Sequence, residues 1–137
     1  MIYVNKNFGY PAKIYKSTDG GGTWTDWTGN LPSRTTAKHV MIQPDENGDD
    51  LVYVTLTSHS GNATNASVYY RRAAASSWVN FSDNLPIGLG INFAKPFYRD
   101  AKIRLGTNCG AWESPMAVAA FKPVIIPWAE AAQWGCA

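Results

Sequence analysis

The chain has 137 residues, 45% apolar and 16% charged, with a formal net charge of +2. This length and balance describe one globular domain with room for a substantial core and exclude a disordered or fibrous chain. The lysines and arginines are scattered, with Arg71-Arg72 the only adjacent basic pair, so nucleic-acid binding finds no electrostatic footprint, and no apolar run approaches the roughly 20 residues of a membrane span.

Short runs of β-branched and aromatic residues, separated by Gly, Pro, Asn and Asp clusters, predict an all-β chain. The predicted strands cover residues 2–5, 13–16, 23–28, 39–43, 51–56, 67–72, 78–82, 91–93, 102–106 and 111–114. The opening Met1-Ile2-Tyr3-Val4-Asn5 reads as a strand and not as a signal peptide, so a targeting segment of any exported parent is expected outside these residues. Residues 1–115 form the strand-rich part. After Pro115 the chain becomes Ala-rich and carries Pro123 and Pro127, which predicts a linker or extension over 116–137 with a short helix at 130–134.

Within the strand-rich part, Tyr15 and Tyr69, Trp24 and Trp78, Trp27 and Phe81, and Asn30-Leu31-Pro32 and Asn84-Leu85-Pro86 all lie 54 residues apart. A fixed repeat of this kind indicates supersecondary units that bury their faces against neighbours. Aligning Tyr3-Val4, Tyr53-Val54 and Arg104-Leu105 groups the strands as three, four and three. Four antiparallel strands in a unit of roughly 40 to 55 residues predict β-propeller blades. About two and a half blades stand against the four to eight of a closed ring. The expectation is therefore an incomplete ring, finished by further blades of a longer parent or by other copies of the chain.

The first unit contains Ser17-Thr18-Asp19-Gly20-Gly21-Gly22-Thr23-Trp24. Its pattern, filled by Ser17, Asp19, Gly21, Thr23 and Trp24, resembles the Asp box, or BNR repeat, of sialidase-like, sortilin-like and other extracellular β-propellers. Physically, it predicts a tight hairpin whose Asp19 carboxylate accepts backbone N–H groups that the turn would leave unpaired. Gly20 to Gly22 would supply positive φ, and Trp24 would bury its ring between sheets. A structural role for Asp19 outweighs a catalytic one, because in the family these boxes lie on the propeller's periphery. In the second unit Arg71, Ala73, Ala75 and Ser77 replace Ser17, Asp19, Gly21 and Thr23 while Trp78 persists, so packing is the demand that both units share. The segment Ile103-Arg104-Leu105-Gly106-Thr107 followed by Gly110-Ala111-Trp112-Glu113-Ser114-Pro115 is similar to the closing strands of Asp-box propellers in large secreted bacterial proteins.

The residues that carry chemistry show less pattern. The arginine signature of sialidases, Arg-Ile-Pro, is absent, and Arg34, Arg71, Arg72, Arg99 and Arg104 stand in no matching context. Other glycoside hydrolysis needs two carboxylates across a cleft; Asp26, Asp100 and Glu113 are the candidates, with nothing marking a pair. The loop Asp45-Glu46-Asn47-Gly48-Asp49-Asp50 has calcium-loop spacing, but position twelve is Leu56 and strands flank it, so a polar hairpin is predicted. His39 and His59 are isolated. Cys109 and Cys136 match no metal pattern and form one disulfide or none. Gly20-Gly21-Gly22 lacks the Lys-Ser/Thr of a phosphate loop, and Asn62, Asn65 and Asn80 head glycosylation sequons that matter only in a eukaryotic secretory host. Neither a metal nor a cofactor is predicted.

Taken with the resemblance, these readings predict a non-catalytic Asp-box propeller fragment. It would act as a scaffold, or as a carbohydrate- or protein-binding surface, of a secreted or cell-surface protein. Two alternatives remain open. One is a fragment of a glycoside hydrolase, sialidase-like or xyloglucanase-like. The other is a lectin that completes its ring by oligomerisation, with Trp27, Phe81 and Trp112 as the aromatics that would stack on sugar.

Overall fold

A computed structural model describes residues 1–6, 11–33, 35–58, 68–87, 89–119, 122–123 and 128–132. The ten strands expected from the sequence are present and form three antiparallel sheets, none closed on itself. Sheet 1 is β1 (Ile2–Lys6), β2 (Lys13–Ser17) and β3 (Thr25–Asp26), in chain order. Sheet 2 is β4 (Thr35–Pro44), β5 (Asp50–Ser58), β6 (Val68–Arg72) and β7 (Val79–Asn80), also in chain order. Sheet 3 runs β8 (Ile91–Phe97), β9 (Lys102–Thr107), β10 (Gly110–Pro115), and then, past a small ribbon of β11 (Val118–Ala119) and β12 (Lys122–Pro123), takes β13 (Ala129–Ala132) as its outer strand. Among the described residues the one helical element is a 3-10 turn, Tyr98–Asp100.

The expected helix at 130–134 is corrected by β13: residues 129–132 are extended and pair with β10. Sheet 3 thus has four strands where the sequence grouped three. The Ala-rich composition misled, because four residues are too few to form a stable helix alone while the open edge of β10 offers ready backbone partners.

The sheets stack face to face, with sheet 2 in the middle. Strand β5 shows why its sequence is an unbroken apolar run: Val52, Val54 and Leu56 face sheet 1, Leu51 and Tyr53 face sheet 3, and all are buried. A strand covered on both faces loses the apolar–polar alternation of a half-exposed one.

The 54-residue repeat is repeated bond by bond. Trp27 N–H donates to Ile14 C=O at 2.8 Å, and Phe81 N–H to Val68 C=O at 2.8 Å. Outer strands β3 and β7 stop after two residues because a side chain caps the next turn: Asp26 Oδ1 accepts Thr28 N–H at 2.9 Å, and Asn80 Oδ1 accepts Ser82 N–H at 2.9 Å. The hydroxyls of Thr28 and Ser82 in turn accept from Ile14 N–H and Val68 N–H, at 3.1 and 2.8 Å.

Each unit is then clasped to the next. The ring of Trp27 meets Trp78 edge-on at 5.1 Å, while the Asn30 side chain accepts Trp78 N–H at 2.7 Å and donates to Trp78 C=O at 3.2 Å. One unit on, Phe81 meets Trp128 edge-on at 5.5 Å, and Asn84 donates to Trp128 C=O at 2.6 Å. Trp128 leads β13 as Trp24 leads β3 and Trp78 leads β7, so it is the third copy of the repeat's tryptophan.

Trp24 itself departs from expectation. It is 43% exposed, against 4% for Trp78, and therefore is not buried between sheets. The physical reason is positional: Trp78 and Trp128 are covered by the sheet before them, and no described sheet stands before sheet 1. Truncating Trp78 to alanine is expected to cost about 3–5 kcal/mol of stability, and truncating Trp24 less than about 1 kcal/mol, measured by denaturant unfolding of the two variants. Equal losses would contradict this packing.

Candidate functional site

The turn over residues 17–24 is the motif with the most recognisable chemistry. Where β2 ends, Ser17 Oγ donates to Asp19 Oδ1 and accepts Gly21 N–H, each at 2.8 Å. Asp19 Oδ1 accepts Thr23 N–H at 2.8 Å, and Asp19 Oδ2 accepts the Thr23 hydroxyl at 2.7 Å. The two side chains thus divide the orphan N–H groups between them. Gly20 and Gly21 have φ of 71° and 99°, a conformation that L side chains rarely adopt. A Cβ at Gly22 would lie 3.1 Å from Asp19 Oδ2 and press on the capping carboxylate. The Thr23 hydroxyl, then Thr23 N–H and the Ser17 hydroxyl, hold the Asp19 carboxyl at about 2. A carboxyl held ionised this firmly is a turn cap and not a proton donor.

The other candidate carboxylates are engaged in the same way. Asp26 caps Thr28 and pairs with Lys13 at 2.8 Å, and the Lys13 contact leads the causes that lower its carboxyl to about 2. Glu113 receives Lys102 at 2.7 Å and Arg104 at 3.2 Å; the Lys102 bond is the main reason its carboxyl lies below the usual range, against a smaller opposing effect of burial. Asp100 is paired with Arg104 and Arg99, each at 3.1 Å.

The acidic loop is a hairpin between β4 and β5. Asp45 Oδ1 accepts Asn47 N–H and Asp49 N–H, at 2.8 and 3.0 Å, and Oδ2 accepts Arg72 Nη1 at 2.6 Å. Burial would raise the Asp45 carboxyl, but the two N–H groups and Arg72 outweigh it and the net shift is downward.

Trp27, Phe81 and Trp112, the candidate stacking aromatics, lie within the chain's own core, at 7%, 8% and 8% exposure. Trp27 is enclosed by Tyr3, by Trp78 and by the Arg71 guanidinium, 4.1 Å above its ring. Arg71 occupies the position of Ser17, and the exchange has a consequence. Its Nη1 donates at 2.8 Å to Trp27 C=O, while the equivalent Phe81 C=O accepts Trp128 Nε1 at 2.7 Å. Trp78 Nε1 is left buried without a hydrogen-bond partner.

Sequence reasoning missed one cluster. Free-edge strands β4 and β8 bulge at equivalent places, between Ala37 and His39 and between Ile91 and Phe93. Bulges protect edges and redirect side chains. Asn5 Nδ2 donates to Ala37 C=O at 2.9 Å. Thr55 Oγ1 accepts His39 N–H at 3.1 Å and lies 2.7 Å from His39 Nδ1. The ring is also hydrogen-bonded to the backbone of Asn92. Burial first, and Lys38 second, lower the His39 pKa, so the ring is a neutral strut between sheets 2 and 3. The bulged residues Lys38 and Asn92 themselves are exposed. The two bulges lie 54 residues apart, but residues 37–39 and 91–93 share no identity and neither bulge has a Gly to mark it.

Cys109 is disulfide-bonded, and among the described residues no group of three or more His, Cys, Asp or Glu is placed to hold a metal. Arg34, His59, Asn62, Asn65 and Cys136 lie outside the described residues. Compared with protein-family models, with curated proteins and with solved structures, the chain matches none.

Two pH-dependent outcomes follow from the turn. Asp19 and Asp26 have pKa values lowered on folding from 3.8 to about 2, so the stability they contribute is complete above the unfolded value and is lost as pH falls through the folded one. Denaturant unfolding of the parent chain should therefore show stability declining between those limits. The decline should be shallower in Asp19→Asn and shallower again when Asp26→Asn is added, whereas an unchanged slope would contradict the assigned bonds.

Proposed function

We propose that this chain is a run of Asp-box β-propeller blades, acting as a non-catalytic scaffold that presents a carbohydrate-binding surface on a secreted or cell-surface protein. The observation that carries the reading is the repeated clasp: an aromatic and an Asn side chain of one unit hold the leading tryptophan of the next, at Trp78 and again at Trp128. Radially stacked blades need such a repeated joint between four-stranded units. Three sheets do not make a ring, and closure would come from further sheets of a longer parent or from other copies.

The non-catalytic part rests on the carboxylates. General acids are kept protonated by raised pKa values, and Asp19, Asp26, Asp45 and Glu113 are all shifted the opposite way. Carbohydrate as the ligand class is supported by the Asp-box resemblance. Lys38 and Asn92, exposed at equivalent bulges on the free edges, offer hydrogen-bond donors and acceptors of the kind that sugar hydroxyls require.

A glycan array probed with the purified chain, alongside fluorogenic sialosides and glucosides, tests both parts. Binding that Lys38→Ala and Asn92→Ala each weaken severalfold is expected, without turnover. Turnover of either substrate would overturn the non-catalytic reading, and an array silent throughout would overturn the carbohydrate one.

A further inference from the structure

The two outer faces of the stack are unlike. On the outward face of sheet 1, Ile2, Val4, Tyr15 and Trp24 correspond by register to Val52, Val54, Tyr69 and Trp78 of sheet 2 and to Ile103, Leu105, Trp112 and Trp128 of sheet 3. In sheets 2 and 3 this is the face covered by the preceding sheet, and Val52, Val54 and Ile103 are fully buried there; in sheet 1, Ile2 is 40% and Val4 39% exposed. The outward face of sheet 3 has a different composition. At the positions of Leu51, Tyr53 and Tyr70 it carries Lys102, Arg104 and Glu113, joined by salt bridges. Its exposed rings are covered by cations, Lys95 over Phe93 at 5.4 Å and Arg104 over Phe97 at 4.4 Å.

We infer that the outward face of sheet 1 is a docking surface for one further sheet of this same repeat, whose aromatic-x-x-Asn turn closes on Trp24 as Trp27 and Asn30 close on Trp78. The occupant is specified by the two interfaces already formed. Each places an aromatic ring against the leading tryptophan and an Asn side chain on its backbone. The face that would receive it has the same residue types in the same register, together with an exposed tryptophan in the clasped position. A second copy docking through its sheet 3 does not fit, because covering Lys102, Arg104 and Glu113 with Ile2 and Val4 would strip water from charges and return no polar partner. Counted in sequence from Trp128, Ala131 stands where the earlier units have Trp27 and Phe81, and Trp134 where they have Asn30 and Asn84.

This rests on the stacked-repeat half of the reading above and not on ring closure or a sugar ligand. A silent glycan array therefore leaves it standing, and its own failure leaves sugar binding untouched.

The test supplies the sheet. A chain with residues 35–101 duplicated ahead of Met1 adds a copy of sheet 2, its Phe81–Asn84 turn and a copy of β8 to pair with β1. Trp24→Ala is then measured in the extended and the parent chain. The substitution should lower the unfolding midpoint of the extended chain by as much as Trp78→Ala lowers that of the parent, with little effect in the parent itself, and Asn84→Ala in the added copy should remove part of that difference. The same small effect of Trp24→Ala in both chains would overturn the inference. Should the extended chain fail to fold, sedimentation of the parent across concentration decides. A parent that stays monomeric, with an unfolding midpoint that Val4→Arg leaves unchanged, marks a face with no cover of its own and supports the inference. A closed dimer broken by Val4→Arg makes a second copy the occupant and overturns it, and so does a monomer that Val4→Arg destabilises, because the face is then already covered within the chain.

Discussion

The joint between an Asn side chain and the backbone of a tryptophan in the next sheet is the constraint on which the rest of the structure depends. Outer strands of two residues, such as Val79–Asn80, cannot hold themselves by ladder bonds alone. Asn30 fixes the start of that strand from the neighbouring sheet by engaging both N–H and C=O of Trp78. Each such bond contributes only about 1 kcal/mol net, and an aromatic pair about 0.5–1.5 kcal/mol. Burial of the apolar faces supplies more energy, yet it has no direction. The clasp adds direction, setting where one sheet meets the next along the strand axis, and the apolar residues then interdigitate.

Once that joint is in place, the side chains that look reactive in isolation have structural partners. Asp19 and Ser17 close one hairpin, Asp45 another, and Asp26 and Asn80 stop the outer strands. His39 spans two edge strands through Thr55 and Asn92. The second unit shows how the turn can be rebuilt without these groups. Arg71 Nε donates to Ala75 C=O at 2.9 Å and its Nη1 reaches back to Trp27, so a single cation closes the turn and packs the interface. The cost is visible in the unpartnered Trp78 Nε1. That loss is local, and the ring still pairs with Trp27.

What the sequence made legible was everything written locally. Strand runs, the turn from Ser17 to Thr23 and the Asn-Leu-Pro turn are dictated by residues close together in the chain, and the register at 54 residues exposed the repeat. Three features escaped because they are relational. Trp24 and Trp78 read identically, and only the presence or absence of a preceding sheet separates an exposed ring from a buried one. Trp128 was hidden because residues 116–127 intervene where earlier units have a short turn, and because no Asn-Leu-Pro follows it. Strand β13 was hidden because alanines carry no strand signal of their own; pairing with β10 decides their conformation. The bulged edge, where Lys38 and Asn92 emerge, was invisible for a similar reason: a bulge is a property of two strands, and each strand alone looks regular.

The unlike ends of the stack follow from the same physics. In a stacked-repeat protein every interior unit shows an apolar face to both neighbours, while a unit that ends the stack needs a polar outer face. The outward face of sheet 3 carries Lys102, Arg104 and Glu113 in ion pairs, which contribute little to stability where they are exposed. Taking such charges out of water costs more than their mutual attraction returns unless every bond is replaced. Sheet 1 presents the reverse case. Covering Ile2, Val4 and Trp24 would remove apolar surface from water at about 25 cal/mol per Å², with the Lys13–Asp26 pair left at the rim. The stack therefore has a direction. One face carries paired charges, and the other carries an apolar set in the register of the buried faces.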